Sequence, residues 1–241
     1  MMMELIPAVD LMGGKVVRLY RGEVSKAKIY YTNPLDAAQR WVNEGTKTLH
    51  IIDLDAALGT GENITQIEQI VKKVNAKVQV GGGIRSVEKA ERLINAGVQR
   101  IIIGTKAISE RSFAEELIHK YGSQRIVIAL DYAKDEVLIE GWTKQSGKKV
   151  KEAVEEAKQI GAEYILLTSK EKDGTLSGPD YKTIEEASRS NNLKIIAAGG
   201  IENIEHILKL KHAGAYACIL GRCLYEGTIK LKEAIKAVVE G

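Results

Sequence analysis

Two aspartates close two apolar runs in the same way: Ala8-Val9-Asp10 near the start of the chain and Ala129-Leu130-Asp131 just past its middle. A carboxylate at the end of a buried strand can give or take a proton, and two facing one small molecule would supply an acid and a base. The plainer reading is that each Asp caps a loop or turn; the matched pair favours chemistry. Thr168, in Leu166-Leu167-Thr168-Ser169, offers a hydroxyl that could orient a carboxylate on a neighbouring strand, although a β-branched strand residue can equally satisfy its own backbone. Asp53 and His50 stay open between chemistry and simply holding the glycine-rich loop that follows them.

Glycines form the second constellation. Gln79-Val80-Gly81-Gly82-Gly83-Ile84 is followed by Ala96-Gly97 and Gly104-Thr105, and Ala197-Ala198-Gly199-Gly200-Ile201 by Ala213-Gly214 and Gly221-Arg222. Gly82 to Gly199, Gly97 to Gly214 and Gly104 to Gly221 are each 117 residues apart, close to half of the 241 residues. Glycine at a strand-to-loop junction leaves backbone N–H groups free to hold a phosphate. A lone Gly-Gly marks only a tight turn; two copies at constant spacing point to duplicated halves, about 1–122 and 123–241, and to two phosphate sites. The halves differ at Arg85 against Glu202. A guanidinium at 85 could reach a phosphate or carboxamide, and Trp142 could stack on a planar base or close over the site, or pack under its own loop.

Positioning these groups requires parallel strands that all end on one side. Eight apolar runs are present, near 5–10, 48–53, 77–81, 100–104, 125–131, 163–168, 194–198 and 216–220. Helical periods follow seven of them at once, such as 86–95 with Ser86 as N-cap and 203–212 closed by Gly214; the eighth is followed by 228–239. The expectation is α/β: one (β/α)8 TIM barrel domain over 1–241 with an internal two-fold half-barrel repeat. Strands one and five then stand opposite each other, which sets Asp10 across the mouth from Asp131. A doubly wound open sheet is disfavoured because no G-x-G-x-x-G follows the first strand.

Composition narrows the partners. With 35 basic and 32 acidic residues, intermixed, and a net charge of +3, nothing argues for nucleic acid. No apolar run approaches the ~20 residues of a membrane helix, and no leader pattern opens the chain, so a cytoplasmic protein is expected. Cys218 and Cys223 make no disulfide framework, and His50, His119, His206 and His212 are too scattered for metal-ligand spacing; no metal is expected.

These residues resemble those of the half-barrel-repeat isomerases of histidine biosynthesis that act on phosphoribosylformimino-aminoimidazole carboxamide ribotide, within the ribulose-phosphate-binding barrels. The resemblance spans nearly the whole chain. It is carried by Pro7-Ala8-Val9-Asp10-Leu11, Gly14-Lys15-Val16-Val17-Arg18-Leu19, Gly81-Gly82-Gly83-Ile84-Arg85, Asp131 with Gly141-Trp142, Asp173-Gly174-Thr175-Leu176-Ser177-Gly178, Ala198-Gly199-Gly200-Ile201, and Gly221-Arg222 with Leu224-Tyr225-Glu226-Gly227. It implies an Amadori rearrangement of an aminoaldose to an aminoketose without cofactor. Asp131 would protonate the ribose ring oxygen, Asp10 would remove the C2 proton, and Thr168 would position the acid. Substrate binding would fall to Gly82, Gly83, Arg85, Gly104, Thr105, Trp142, Asp173, Gly174, Gly199, Gly200, Gly221 and Arg222. The partner implied is a small bisphosphorylated ribotide, met by a monomer.

The cyclase subunit of imidazole glycerol phosphate synthase has the same barrel, aspartates and phosphate sites, and Leu166-Leu167-Thr168-Ser169 and Ser146-Gly147-Lys148-Lys149 resemble it too. Its pattern carries a cysteine two residues before the first catalytic Asp and a lysine ending the next short strand, where this chain has Ala8 and Arg18. A dual-substrate isomerase that also takes phosphoribosyl anthranilate, and a non-catalytic phosphate-binding or glutaminase-partner barrel, are the further alternatives.

Overall fold

The computed structural model describes residues 3–20, 22–189 and 193–240. Eight parallel strands close on themselves: β1 Glu4–Met12, β2 Thr48–Asp53, β3 Lys77–Gly81, β4 Arg100–Ile103, β5 Ile126–Ala133, β6 Tyr164–Ser169, β7 Lys194–Ala198 and β8 Ala217–Leu220. Each pairs with the next in sequence, and β8 returns to β1 through Glu4↔Ala217 to Pro7↔Leu220. Outside them lie α1 Pro34–Asn43, α2 Ile64–Lys73, α3 Val87–Asn95, α4 Arg111–Tyr121, α5 Val150–Gln159, α6 Tyr181–Ser188, α7 Ile204–His212 and α8 Leu231–Glu240. This is the (β/α)8 barrel expected from the run spacing.

The alternation of strand side chains builds two cores. Ile6, Ala8, Ile102, Val127, Ala129, Leu166, Ile196 and Ile219 fill the barrel, while Leu5, Val9, Leu11, Ile51, Ile101, Ile128, Leu130 and Leu167 face outward onto the helices. A strand buried on both sides reads as a continuous apolar run, which is why the runs were countable. Ser86 caps its helix as expected, accepting from Lys89 N–H, and Gly214, with φ +87°, follows the end of the helix Ile204–His212, whose N-cap is Asn203. The last helix starts three residues later than expected, at Leu231.

Two antiparallel excursions were not anticipated. After β1 the chain turns through Gly13-Gly14, with φ +55° and +73°, into strands Lys15–Tyr20 and Glu23–Tyr31 before α1; this is the β1 arm. Two consecutive positive φ values make a type I′ hairpin turn, and Gly-Gly between apolar runs was its sequence signal. After β5, strands Glu136–Ile139 and Lys144–Lys149 make the β5 arm before α5. Helices therefore do not follow β1 and β5 at once. Among the described residues no helix is long and apolar enough to cross a membrane.

Candidate active site

Parallel strands deliver their last residues to one end of the barrel, and Asp10 and Asp131 arrive there from opposite strands. Asp10 is mostly buried, with 14% of its side chain exposed, and its Oδ2 accepts from Arg18 Nη1 at 2.7 Å. The Gly13-Gly14 turn folds Arg18 back beside it. Burial lifts the Asp10 carboxyl from 3.8 to about 6, with Arg18 opposing the rise and Asp173 adding to it.

Among the described residues no cation pairs with Asp131. Burial raises its pKa too, against hydrogen bonds from Trp142 and Thr168 that favour the anion, while Asp173 pushes upward. Thr168 pairs with Asp131 in the β5–β6 register, so the hydroxyl expected to orient a neighbouring carboxylate is in place. Asp173 bears on both carboxylates, and burial raises it against the pull of Arg18 and of the Gly174 backbone. The mouth thus brings together three partly buried carboxyls and the Arg18 guanidinium.

The glycine turns flank this group. Gly82 and Gly83 have φ +104° and +61°, and a Cβ on either would lie 2.2 Å from Asp53 O or 2.1 Å from Ala56 O. Gly199 and Gly200 repeat this at +94° and +80°, with Gly178 O 2.4 Å from a Cβ on Gly200. Only glycine fits such positions without displacing backbone. Gly104 and Gly221 share a second conformation, φ −111°, ψ −100° and φ −107°, ψ −109°, before the short helices Thr105–Ser109 and Arg222–Tyr225. A cavity beside the β7 and β8 ends is lined by Arg18, Asp173, Gly199, Gly200, Gly221 and Arg222. Arg18 packs so closely there that a Cβ on Gly221 would meet its Nη2 at 2.3 Å, and its buried Nε has no hydrogen-bond partner among the described residues. Gly174 accepts from Arg222 Nη1 through its carbonyl at 2.6 Å.

Three residues sit differently from the simplest sequence reading. Arg85 donates to Ala57 O at 2.8 Å and Ala56 O at 3.4 Å, so in this structure it binds the loop after β2. Thr105 Oγ1 accepts from Glu140 N–H at 3.0 Å, tying the β5 arm to the helix in front of it. Trp142 lies across the mouth against Gly22 of the β1 arm, where a Cβ would fall 2.7 Å from its Cε3. Its carbonyl accepts from Lys170 Nζ at 2.9 Å. Glu140, Gly141 and Trp142 all have left-handed φ, +54°, +65° and +72°, which stores strain in the loop that carries the indole.

Asp53 resolves as structural: its carboxylate accepts from Ala56 N–H, Asn63 N–H and Asn63 Nδ2. His50 is buried inside the barrel at 2.8 Å from Gln79 Nε2, and burial with Arg18 and Arg100 lowers it to about 3. The free Cys218 and Cys223 are buried, and among the described residues no group of three His, Cys, Asp or Glu could hold a metal. Arg18 entered the sequence reading only as part of the motif that carries the resemblance and as the residue in place of the cyclase lysine, and not as a site residue.

A closed parallel barrel with paired strand-end carboxylates and glycine turns at one mouth defines a (β/α)8 barrel of the acid/base kind, its chemistry carried on loops. The histidine biosynthesis protein family matches residues 4–230, and the chain belongs to that family. It is 42% identical over 237 residues, 98% of this chain and 99% of the relative, to the 1-(5-phosphoribosyl)-5-((5-phosphoribosylamino)methylideneamino) imidazole-4-carboxamide isomerase of Methanocaldococcus jannaschii. Isomerases of the same name match from Alkaliphilus metalliredigens, at 41% over 95% of this chain and 97% of the relative, and from Nitrosopumilus maritimus, at 39% over 98% and 100%.

Proposed function

We propose that this chain is the aldose–ketose isomerase of histidine biosynthesis that converts phosphoribosylformimino-aminoimidazole carboxamide ribotide to its phosphoribulosyl form. The observation that carries the reading is the mouth itself. Two partly buried carboxyls stand on opposite strands, one beside a guanidinium and one beside a hydroxyl, between two pairs of glycine turns with matching backbone angles. The names of the full-length relatives agree with it.

Asp10, with a pKa near 6 and Arg18 on its oxygen, is mostly ionised at neutral pH and suits the base that removes the C2 proton. Asp131 is the acid at the ring oxygen. At rest its two donors favour its anion. Substrate entering the mouth displaces the Trp142 indole, removing one of those donors and burying the carboxyl further; both changes favour the protonated form. Trp142 is then free to stack on the imidazole carboxamide, and Thr168 keeps Asp131 oriented. The turns at Gly82, Gly83, Gly104 and Thr105, and at Gly199, Gly200, Gly221 and Arg222, take the two phosphates, with Asp173 and Gly174 beside the second.

Asp173 is a second candidate for the acid, because its pKa is raised by desolvation and it lines the cavity with Arg18. The whole chain works in this reading as one barrel domain of duplicated halves, a cytoplasmic monomer without cofactor. Supplying the aminoaldose without ammonia or glutaminase and following the absorbance change tests the proposal: turnover supports the isomerase over the cyclase, and none sinks it. Activity lost in Asp131→Asn but kept in Asp173→Asn supports the first acid; the reverse supports the second.

A further inference from the structure

Isomerisation gives no role to Leu224-Tyr225-Glu226-Gly227, the segment after the β8 turn, yet its side chains hold the β1 arm. Glu226 Oε1 accepts from Lys28 Nζ at 2.9 Å and from the Tyr30 hydroxyl. The Tyr30 ring tilts onto Tyr225 with centroids 4.8 Å apart, and Trp41 meets Tyr225 edge-on at 5.4 Å. Tyr225 in turn donates to Ala8 O at 2.7 Å, two residues before Asp10. Glu226 also lies 3.8 Å from Arg222 Nε. One carboxylate is therefore shared between the arm and the residue that opens the β8 turn. The β5 arm is tied differently: the positions matching Tyr225 and Glu226 are Ile108 and Ser109, and the bond from Glu140 N–H to Thr105 takes the place of the ion pair.

We propose that Glu226 is a positioning residue that fastens the β1 arm over the mouth and couples its closure to occupancy of the Gly221–Arg222 turn by a phosphate. The coupling rests on the reading of that turn as a phosphate site. Arg222 shares that carboxylate with Lys28 and Tyr30. A phosphate on Arg222 neutralises the guanidinium and leaves Glu226 to the arm alone, so the tie strengthens as the site fills. An exposed ion pair is weak by itself, which lets the arm open for substrate; the Tyr30–Tyr225 contact gives it a fixed seat. The arm tip reaches Trp142 through Gly22, so the arm and the indole adjoin at the mouth.

The test is hydrogen exchange of the Glu23–Tyr31 amides with inorganic phosphate as the probe, its binding followed by calorimetry on the same samples. In the wild type, bound phosphate slows exchange about fivefold or more; in Glu226→Ala the slowing falls below about twofold, Glu226→Asp restores part of it, and Tyr30→Phe weakens it without touching the charge. With the aminoaldose, Glu226→Ala raises KM and leaves kcat near wild type. Phosphate that binds without slowing the arm, or slows it equally in Glu226→Ala, overturns the proposal, as does a wild type that binds no phosphate. Because the exchange readout needs no turnover, an arm that responds in a protein inactive on the aminoaldose supports the coupling while the isomerase reading falls.

Discussion

Asp10→Asn should stabilise the protein at neutral pH while abolishing its activity, and the two effects have one cause. The fold raises the Asp10 carboxyl from 3.8 to about 6, so ionising it in the barrel costs about 3 kcal/mol relative to the unfolded chain. The folded state holds the Asp10 proton more tightly; the contribution of Asp10 to stability is therefore greatest below pH 3.8 and falls as pH rises through the window from about 4 to about 6, with the full loss above it. Asparagine copies the protonated carboxyl in shape and can still accept from Arg18, and it carries no charge to ionise. The variant should thus exceed the wild type by about 3 kcal/mol at pH 7.5 and by less than about 1 kcal/mol at pH 4. Urea unfolding followed by circular dichroism at the two pH values measures this; with a slope near 3 kcal/mol/M the neutral-pH midpoint moves up by about 1 M. A variant no more stable than the wild type at pH 7.5, or equally favoured at both pH values, refutes the electrostatic account of Asp10.

His50 gives the opposite pH dependence. Its folded value is lowered from 6.5 to about 3, so its contribution is intact above pH 6.5 and is lost as pH falls toward 3, up to about 4 to 5 kcal/mol; His50→Gln should flatten that acid limb in the same unfolding assay. Thr168→Val, which removes the hydroxyl beside Asp131, should lower kcat about tenfold or more with KM within about twofold, and an unchanged kcat would remove Thr168 from the mechanism. Gly200 and Gly161 have the same left-handed φ, +80° and +82°, but only Gly200 has backbone where a Cβ would go. Gly161→Ala should cost about 1 kcal/mol in thermal unfolding and Gly200→Ala at least about 2 kcal/mol more, with weakened phosphate binding; equal costs would show that the turn around Gly200 yields.

What could be read in advance followed local rules. The eight strands were legible because a strand buried on both faces must be continuously apolar, and the glycine turns because a Cβ at Gly83 or Gly200 would strike backbone. The arms were legible only in part: Gly13-Gly14 signalled its hairpin, but the β5 arm strand Lys144–Lys149, which reads Lys-Gln-Ser-Gly-Lys-Lys, has no apolar alternation to betray it. Asp53 illustrates the limit, since a strand-end aspartate looks alike in sequence whether it caps Ala56 and Asn63 or meets a substrate.

The sequence by itself determined the number of barrel strands, their closure into a ring with Asp10 opposite Asp131, and the paired glycine turns, because periodicity and glycine conformation act within a few residues. Only the tertiary structure decided which neighbours those carboxyls have. Arg18 on Asp10, Trp142 and Thr168 on Asp131, Asp173 bearing on both, and Arg85 turned to the loop after β2 all depend on chain segments meeting in space. Proton affinity in a buried site is set by desolvation and by those neighbours, and neither belongs to a residue until the barrel closes around it.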